Sequence, residues 1–237
     1  MDYRSIIINK DKITQLYNIH QRYTSSVRTM IQPQYIKHLD TPVFYTPQEL
    51  LEHRDELKQP YNDMPAKDII HSMFTPPYHE GEILYVKETW NYGYFATDDP
   101  FNDIEGNDYR FVEVKDPQDK RFPKELPRYI YAQNFTEKGN HIIPNQKFNY
   151  GLSAIKIPWK PSIYMPKEAA RLWVRVMSIR AQQVKDMTYC DATQEGYYSK
   201  NDFVNTFFEL HPEYDENVWL WAIELKACGK PKDAEEE

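Results

Sequence analysis

Glu88 is the residue whose setting asks most directly for chemistry. In Ile83-Leu84-Tyr85-Val86-Lys87-Glu88 the alternation predicts a strand, and its pleat puts Glu88 on the face of Leu84 and Val86. A carboxylate that continues an apolar face is unusual, because burial penalises the ionised form. Glu88 is either a general acid or base, or a hydrogen-bond acceptor at the floor of a cleft. It carries neither role if the strand ends at Lys87 and the side chain turns to water. Arg28, Lys160, Arg171 and Arg175 supply cations of the kind that contact phosphates and position a nucleic acid without reading its sequence. Trp90, Trp159 and Tyr164 offer rings on which bases stack, at roughly 1–3 kcal/mol per base. Trp90 and Trp159 are open between stacking and core, whereas Trp219 and Trp221 read as core. The acidic pairs Asp98-Asp99 and Asp103/Glu105 read as solvated loop residues, not as metal ligands.

Several chemistries are excluded by what the chain lacks. Its 237 residues include seven glycines, no two of them close together, so the clustered glycines of a phosphate-cradling loop are missing. The seven histidines are scattered, with no H-E-x-x-H and no Cys/His cluster, so neither metal nor cofactor is expected. Cys190 and Cys228 form no C-x-x-C motif and no disulfide framework, which fits a reducing cytoplasm. There is no apolar run near the roughly 18 residues of a membrane span and no basic-then-apolar leader. A composition of 41% hydrophobic and 27% charged residues is that of an ordinary soluble globular chain.

The net charge is −7, but its distribution says more. Residues 1–37 carry six Lys/Arg against two Asp, giving +4, and residues 156–185 carry seven against Glu168 alone, giving +6. Residues 186–237 carry four basic against thirteen acidic residues, giving −9. The two basic blocks either fold into one anion-facing patch or are solvated faces offset by the acidic parts.

The elements that position these residues follow from the spacing. Ser5–Asn9 reads as a short buried strand, and 11–22 as an amphipathic helix. Residues 24–34 form a strand or loop stopped by Pro33. A helix is expected over 47–58 with Pro47 in its first turn. Residues 91–150, rich in Tyr, Asn, Asp and Pro, read as loops and short hairpins, an insertion. A short helix at 167–171 precedes a strand with Leu172, Val174 and Val176 inward. Thr188-x-x-Asp191 begins a two-turn helix that Gly196 stops. Asn201 or Asp202 caps another helix, carrying Phe203, Val204, Phe207 and Phe208. Residues 218–226 alternate as the last strand, and the end of the chain reads as an acidic solvated tail over 228–237.

Four of these segments, in this order, resemble the signatures of ASCH-domain proteins of phages and prophages. Pro77 to Trp90 is similar to Y-x-x-G-D-x-L-W-V-R-E-T-W, and Trp159 to Arg171 to W-K-P-S-I-x-M-P-R-x-A-S-R. Val184 to Gly196 resembles L-x-D-I-S-E-E-D-A-x-x-E-G, and Val218 to Leu225 resembles P-W-V-W-V-I-E-F. The resemblance implies an α+β, PUA-like mixed β-barrel with short flanking helices and loop-rich insertions. It also implies a cleft for RNA or a modified nucleoside.

Some small members of the family resemble amidohydrolases of N4-acylated cytidine, with a lysine, a threonine and a strand glutamate as catalytic set. Registered on Met30-Ile31-Gln32-Pro33-Gln34, the lysine position holds Thr24 and the threonine position Val27, while Arg28 keeps the arginine. Amide hydrolysis needs a nucleophile, a base and an oxyanion donor, and valine has no hydroxyl to offer. Only Glu88 survives of the catalytic set.

The expectation is therefore a single domain over 1–227 with insertions near 38–79 and 91–150, located in a bacterial or infected-host cytoplasm. It binds RNA, another nucleic acid or a nucleotide-derived ligand through Thr24, Arg28, Glu88, Trp90, Trp159, Lys160, Ser162, Tyr164 and Arg171. An amidohydrolase-like enzyme with Glu88 as acid or base is the alternative, and a phage protein that binds a host protein a second one. Glu88→Gln is expected to weaken ligand binding and leave the melting temperature nearly unchanged.

Overall fold

The computed structural model describes residues 3–8, 25–36, 44–57, 60–97, 109–115, 128–132, 135–138, 141–144 and 157–234. In chain order they form β1 (Ser5–Ile7), β2 (Ser25–Met30), β3 (Gln34–Tyr35), β4 (Phe44–Tyr45), α1 (Pro47–Glu52), α2 (Ala66–Met73) and β5 (Ile83–Lys87). Next come β6 (Trp90–Thr97), β7 (Tyr109–Glu113), β8 (Arg128–Tyr131), β9 (Phe135–Lys138) and β10 (His141–Pro144). The chain closes with β11 (Trp173–Gln183), α3 (Tyr189–Gln194), α4 (Lys200–Leu210) and β12 (Trp219–Cys228). This is an α+β chain with parallel and antiparallel strand pairs and few helices, and among the described residues the strands do not close into a barrel. It divides into two compact units, one of 1–4, 11–84 and 172–237, the other of 5–10 and 85–171.

The first unit is organised by the long antiparallel pair β11–β12, with β2 antiparallel to β12 on its other edge. Trp219 to Ile223 are all buried, so β12 does not alternate between core and water. Both of its faces are covered. Trp221 meets His71 of α2 edge to face, while Leu220 joins Val184, Met187, Ala192 and Phe203 beneath α3 and α4. A strand covered on both faces reads as a continuous apolar run for this reason. The inward set of β11 begins at Val174 and Val176, as its spacing predicts. A bulge between Val176 and Ser178 then resets the phase, so that Ile179, Ala181 and Gln183 point inward and the strand continues to Gln183.

The helices are set by their caps. Thr46 caps α1 in a capping box with Glu49, and the helix ends at Glu52, short of the expected 58, with a 3-10 turn at Arg54–Glu56. α3 starts from the expected box, Thr188 with Asp191, and Gly196 beyond it has φ +92°, where a side chain would be strained. α4 is capped by Ser199, whose Oγ accepts the Asp202 N–H, and not by Asn201 or Asp202. β12 runs to Cys228. Gly229, Lys230 and Lys232 are exposed, and a 3-10 turn at Lys232–Ala234 buries Ala234, while the acidic end at 235–237 lies outside the described residues. The expected helix at 11–22 lies outside the described residues.

The second unit holds the parallel pair β1–β5, the three-stranded sheet β7–β6–β8 and the hairpin β9–β10. β1 is not buried throughout, since Ile6 is buried and Ile7 exposed. Part of the region read as loops and hairpins is therefore regular sheet. A 3-10 turn at Lys167–Ala169 stands where a short helix was expected.

Candidate nucleic-acid interface

The alternation of β5 carries past the end of the strand: Leu84, Val86 and Glu88 are all buried, with Glu88, in the second unit, only 1% exposed. The charge is met by Arg171, whose Nε donates to Oε1 at 2.9 Å and Nη2 to Oε2 at 2.7 Å. Such a side-on, two-bond grip fixes the guanidinium plane. That plane lies over the ring of Tyr131, 3.9 Å from its centroid. Tyr131 in turn donates its hydroxyl to Ala169 O in the 3-10 turn just before Arg171. Burial, with the nearby Glu88 and Tyr129, pushes the Tyr131 phenol up to about 12 against the opposing pull of Arg171, so it stays a neutral donor. The Glu88 N–H is received by Met165 Sδ. Both carboxylate oxygens of Glu88 thus accept from Arg171, an arrangement that holds a cation in place.

A second triple repeats the first in kind. Lys160 forms an ion pair with Glu113 at 2.7 Å and lies over the ring of Trp90, 5.1 Å from its centroid. Its position is set by backbone bonds in both directions between Trp90 and Lys160, and by Asn91. Asn91 is fully buried: its Nδ2 donates to Pro158 O and its Oδ1 accepts the Tyr92 N–H. Each triple is a carboxylate, a cation and an aromatic ring. Both draw their cation from the 159–171 segment.

The rings share one sheet face. Trp90 pairs with Tyr131 across β6 and β8, and Tyr92 with Tyr129, so the four side chains lie on the same side. Tyr92 and Tyr129 are half-buried, their centroids 4.8 Å apart, and Trp90 stands 5.8 Å from Tyr129. Burial, with Glu168 and Tyr92 nearby, raises the Tyr129 phenol above its usual range.

Of the residues expected at the site, Glu88, Trp90, Lys160 and Arg171 come together in this unit. Trp90 is buried under Lys160, and Trp159 is half-buried. Ser162 opens a 3-10 turn that presents Tyr164 at 73% exposure. Thr24 lies outside the described residues. Arg28 belongs to the first unit. Its side chain is 3% exposed and donates to Ser26, Glu195, Gln182 and Asp191. Arg180 reaches Asp191 and Glu224 in the same unit. Arg28, Lys160, Arg171 and Arg180 are therefore each held by a carboxylate.

Sequence reasoning missed Tyr92, Tyr129, Tyr131 and Glu113. A signal was present in Trp90-x-Tyr92-x-Tyr94 and Tyr129-x-Tyr131, alternations of ring residues typical of strands. No group of three or more His, Cys, Asp or Glu able to hold a metal ion occurs among the described residues. Nor, among them, is any helix long and apolar enough to cross a membrane. Comparison with protein families, curated proteins and solved structures finds no match for this chain.

Proposed function

We propose that this is an ASCH-type binding protein of PUA-like fold that recognises RNA or a nucleotide-derived ligand. One observation carries the reading. Two of the four segments that carry the resemblance, 77–90 and 159–171, are joined through Glu88–Arg171 and Trp90–Lys160. There they build two carboxylate-held cations over aromatic rings, a combination suited to bases and their flanking phosphates. Binding is favoured over hydrolysis because the family's lysine and threonine positions hold Thr24 and Val27, and because Glu88 is engaged by Arg171 through both oxygens.

The test is fluorescence anisotropy with a labelled single-stranded RNA, together with mass spectrometry of what the purified protein carries. Lys160 is about one third exposed, so Lys160→Ala can be read without large loss of fold. The wild type should bind, and the variant should bind several-fold more weakly at nearly the same melting temperature. If the wild type retains no RNA, DNA or nucleoside while a protein co-purifies, the reading is wrong.

A further inference from the structure

We infer that the Tyr92–Tyr129 pair is a base-stacking step, so that the ligand is a single-stranded oligonucleotide with at least two stacked bases and not a lone nucleoside. The inference rests on the reading above and extends its site along the sheet. Tyr92, Tyr129 and Trp90 form a row, with centroid separations of 4.8 and 5.8 Å, on a face whose other ring, Tyr131, already carries Arg171. Trp90 and Tyr131 are covered by their cations, whereas Tyr92 and Tyr129 remain half-buried and reachable. A row of partly exposed rings beside cations is how single strands are held without sequence preference, because every base has a π-face.

Charge selects the occupant more closely. Residues 85–171 carry thirteen Lys/Arg against twelve Asp/Glu, so no strong cationic field draws in a duplex. Two cations flank the row, Arg171 with 26% and Lys160 with 33% of the side chain exposed, and both are already held by carboxylates. Among the described residues these two cations supply two phosphate contacts. Stacking supplies the larger share of the affinity, and the slope of log affinity against log salt should be no steeper than about −1.4.

The experiment compares uridine 5′-monophosphate with oligouridylates of increasing length, by calorimetry at several salt concentrations. Affinity should rise by about 5- to 150-fold once a second base can stack. Tyr92→Leu and Tyr129→Leu should each remove most of that gain. Tyr92→Phe and Tyr129→Phe keep the ring and should keep the affinity. The inference is overturned if affinity does not rise with length in the wild type, or if the folded Leu variants bind the oligomers as the wild type does. In either case the binding reading stands. A wild type that binds neither mononucleotide nor oligomer overturns both.

Discussion

Arg171 grips both oxygens of Glu88, at 2.9 and 2.7 Å, across 83 positions of sequence. The carboxylate is buried and the guanidinium is partly open to solvent. Glu88 thus fixes the plane of a cation that is itself partly open to solvent. Burial of an ion pair is weak evidence of net stabilisation, but removing one member leaves the other charge uncompensated.

Glu88→Gln follows from that asymmetry. Glutamine keeps one oxygen acceptor and loses the charge, and the expected cost is about 2–3 kcal/mol, below the roughly 3–5 of a fully buried pair because Arg171 is partly solvated. Urea unfolding measures it. Binding should fall as well, since Arg171 loses its orientation. This replaces the sequence-based expectation of an unchanged melting temperature. An unchanged midpoint with binding lost would instead mean that Glu88 touches the ligand directly.

Gly93 is needed for a different reason. A Cβ there would lie 2.2 Å from Val112 O and 2.6 Å from Phe111 Cζ, in the pairing of β6 with β7. The backbone oxygen cannot swing aside, so Gly93→Ala must spread the strands. Overpacking of this kind costs about 1–3 kcal/mol. For a chain of this size the melting temperature should drop by at least about 3 °C. Gly229→Ala, where nothing lies within 4 Å, is the control. A Gly93→Ala protein that melts with the control would show that β6 and β7 do not approach this closely.

What was legible in the sequence was local. The alternation of Leu84, Val86 and Glu88, the Thr188–Asp191 box and the existence of the last strand all depend on neighbours a few positions away, whereas the burial of both faces of β12 does not. The partners were not legible, because pairing of charges is decided by the fold. Arg28 looks like any exposed arginine until Asp191 and Glu195, more than 160 positions later, are brought to its guanidinium. Glu88 gave the right face but not Arg171. Tyr92 and Tyr129 were hidden for a compositional reason: the Pro, Asp and Asn of the intervening residues drown a short period-two signal.

Asp191 gives the pH dependence. Its Oδ2 accepts from the Thr188 amide and hydroxyl and from Gln182, while Oδ1 accepts from Arg28 and Arg180. Burial alone would raise its pKa. The Thr188 and Gln182 hydrogen bonds and the Arg28 charge outweigh burial and bring it to about 2, from an ordinary 3.8. A depressed folded-state value means stability that is present above the unfolded value and lost as pH falls through the folded one. Between about pH 4 and about pH 2 the wild type should lose about 1–2 kcal/mol through this group, after allowance for solvent screening. Asp191→Asn starts lower at neutral pH, because it strips α3 of its capping carboxylate and leaves Arg28 short of a partner. It should then show a flatter acid limb in unfolding midpoints measured stepwise from neutral to acid pH. An Asn variant that loses as much stability on acidification as the wild type would place the acid-labile charge elsewhere, with Glu195 and Glu224, the other carboxylates facing Arg28 and Arg180, the next to substitute.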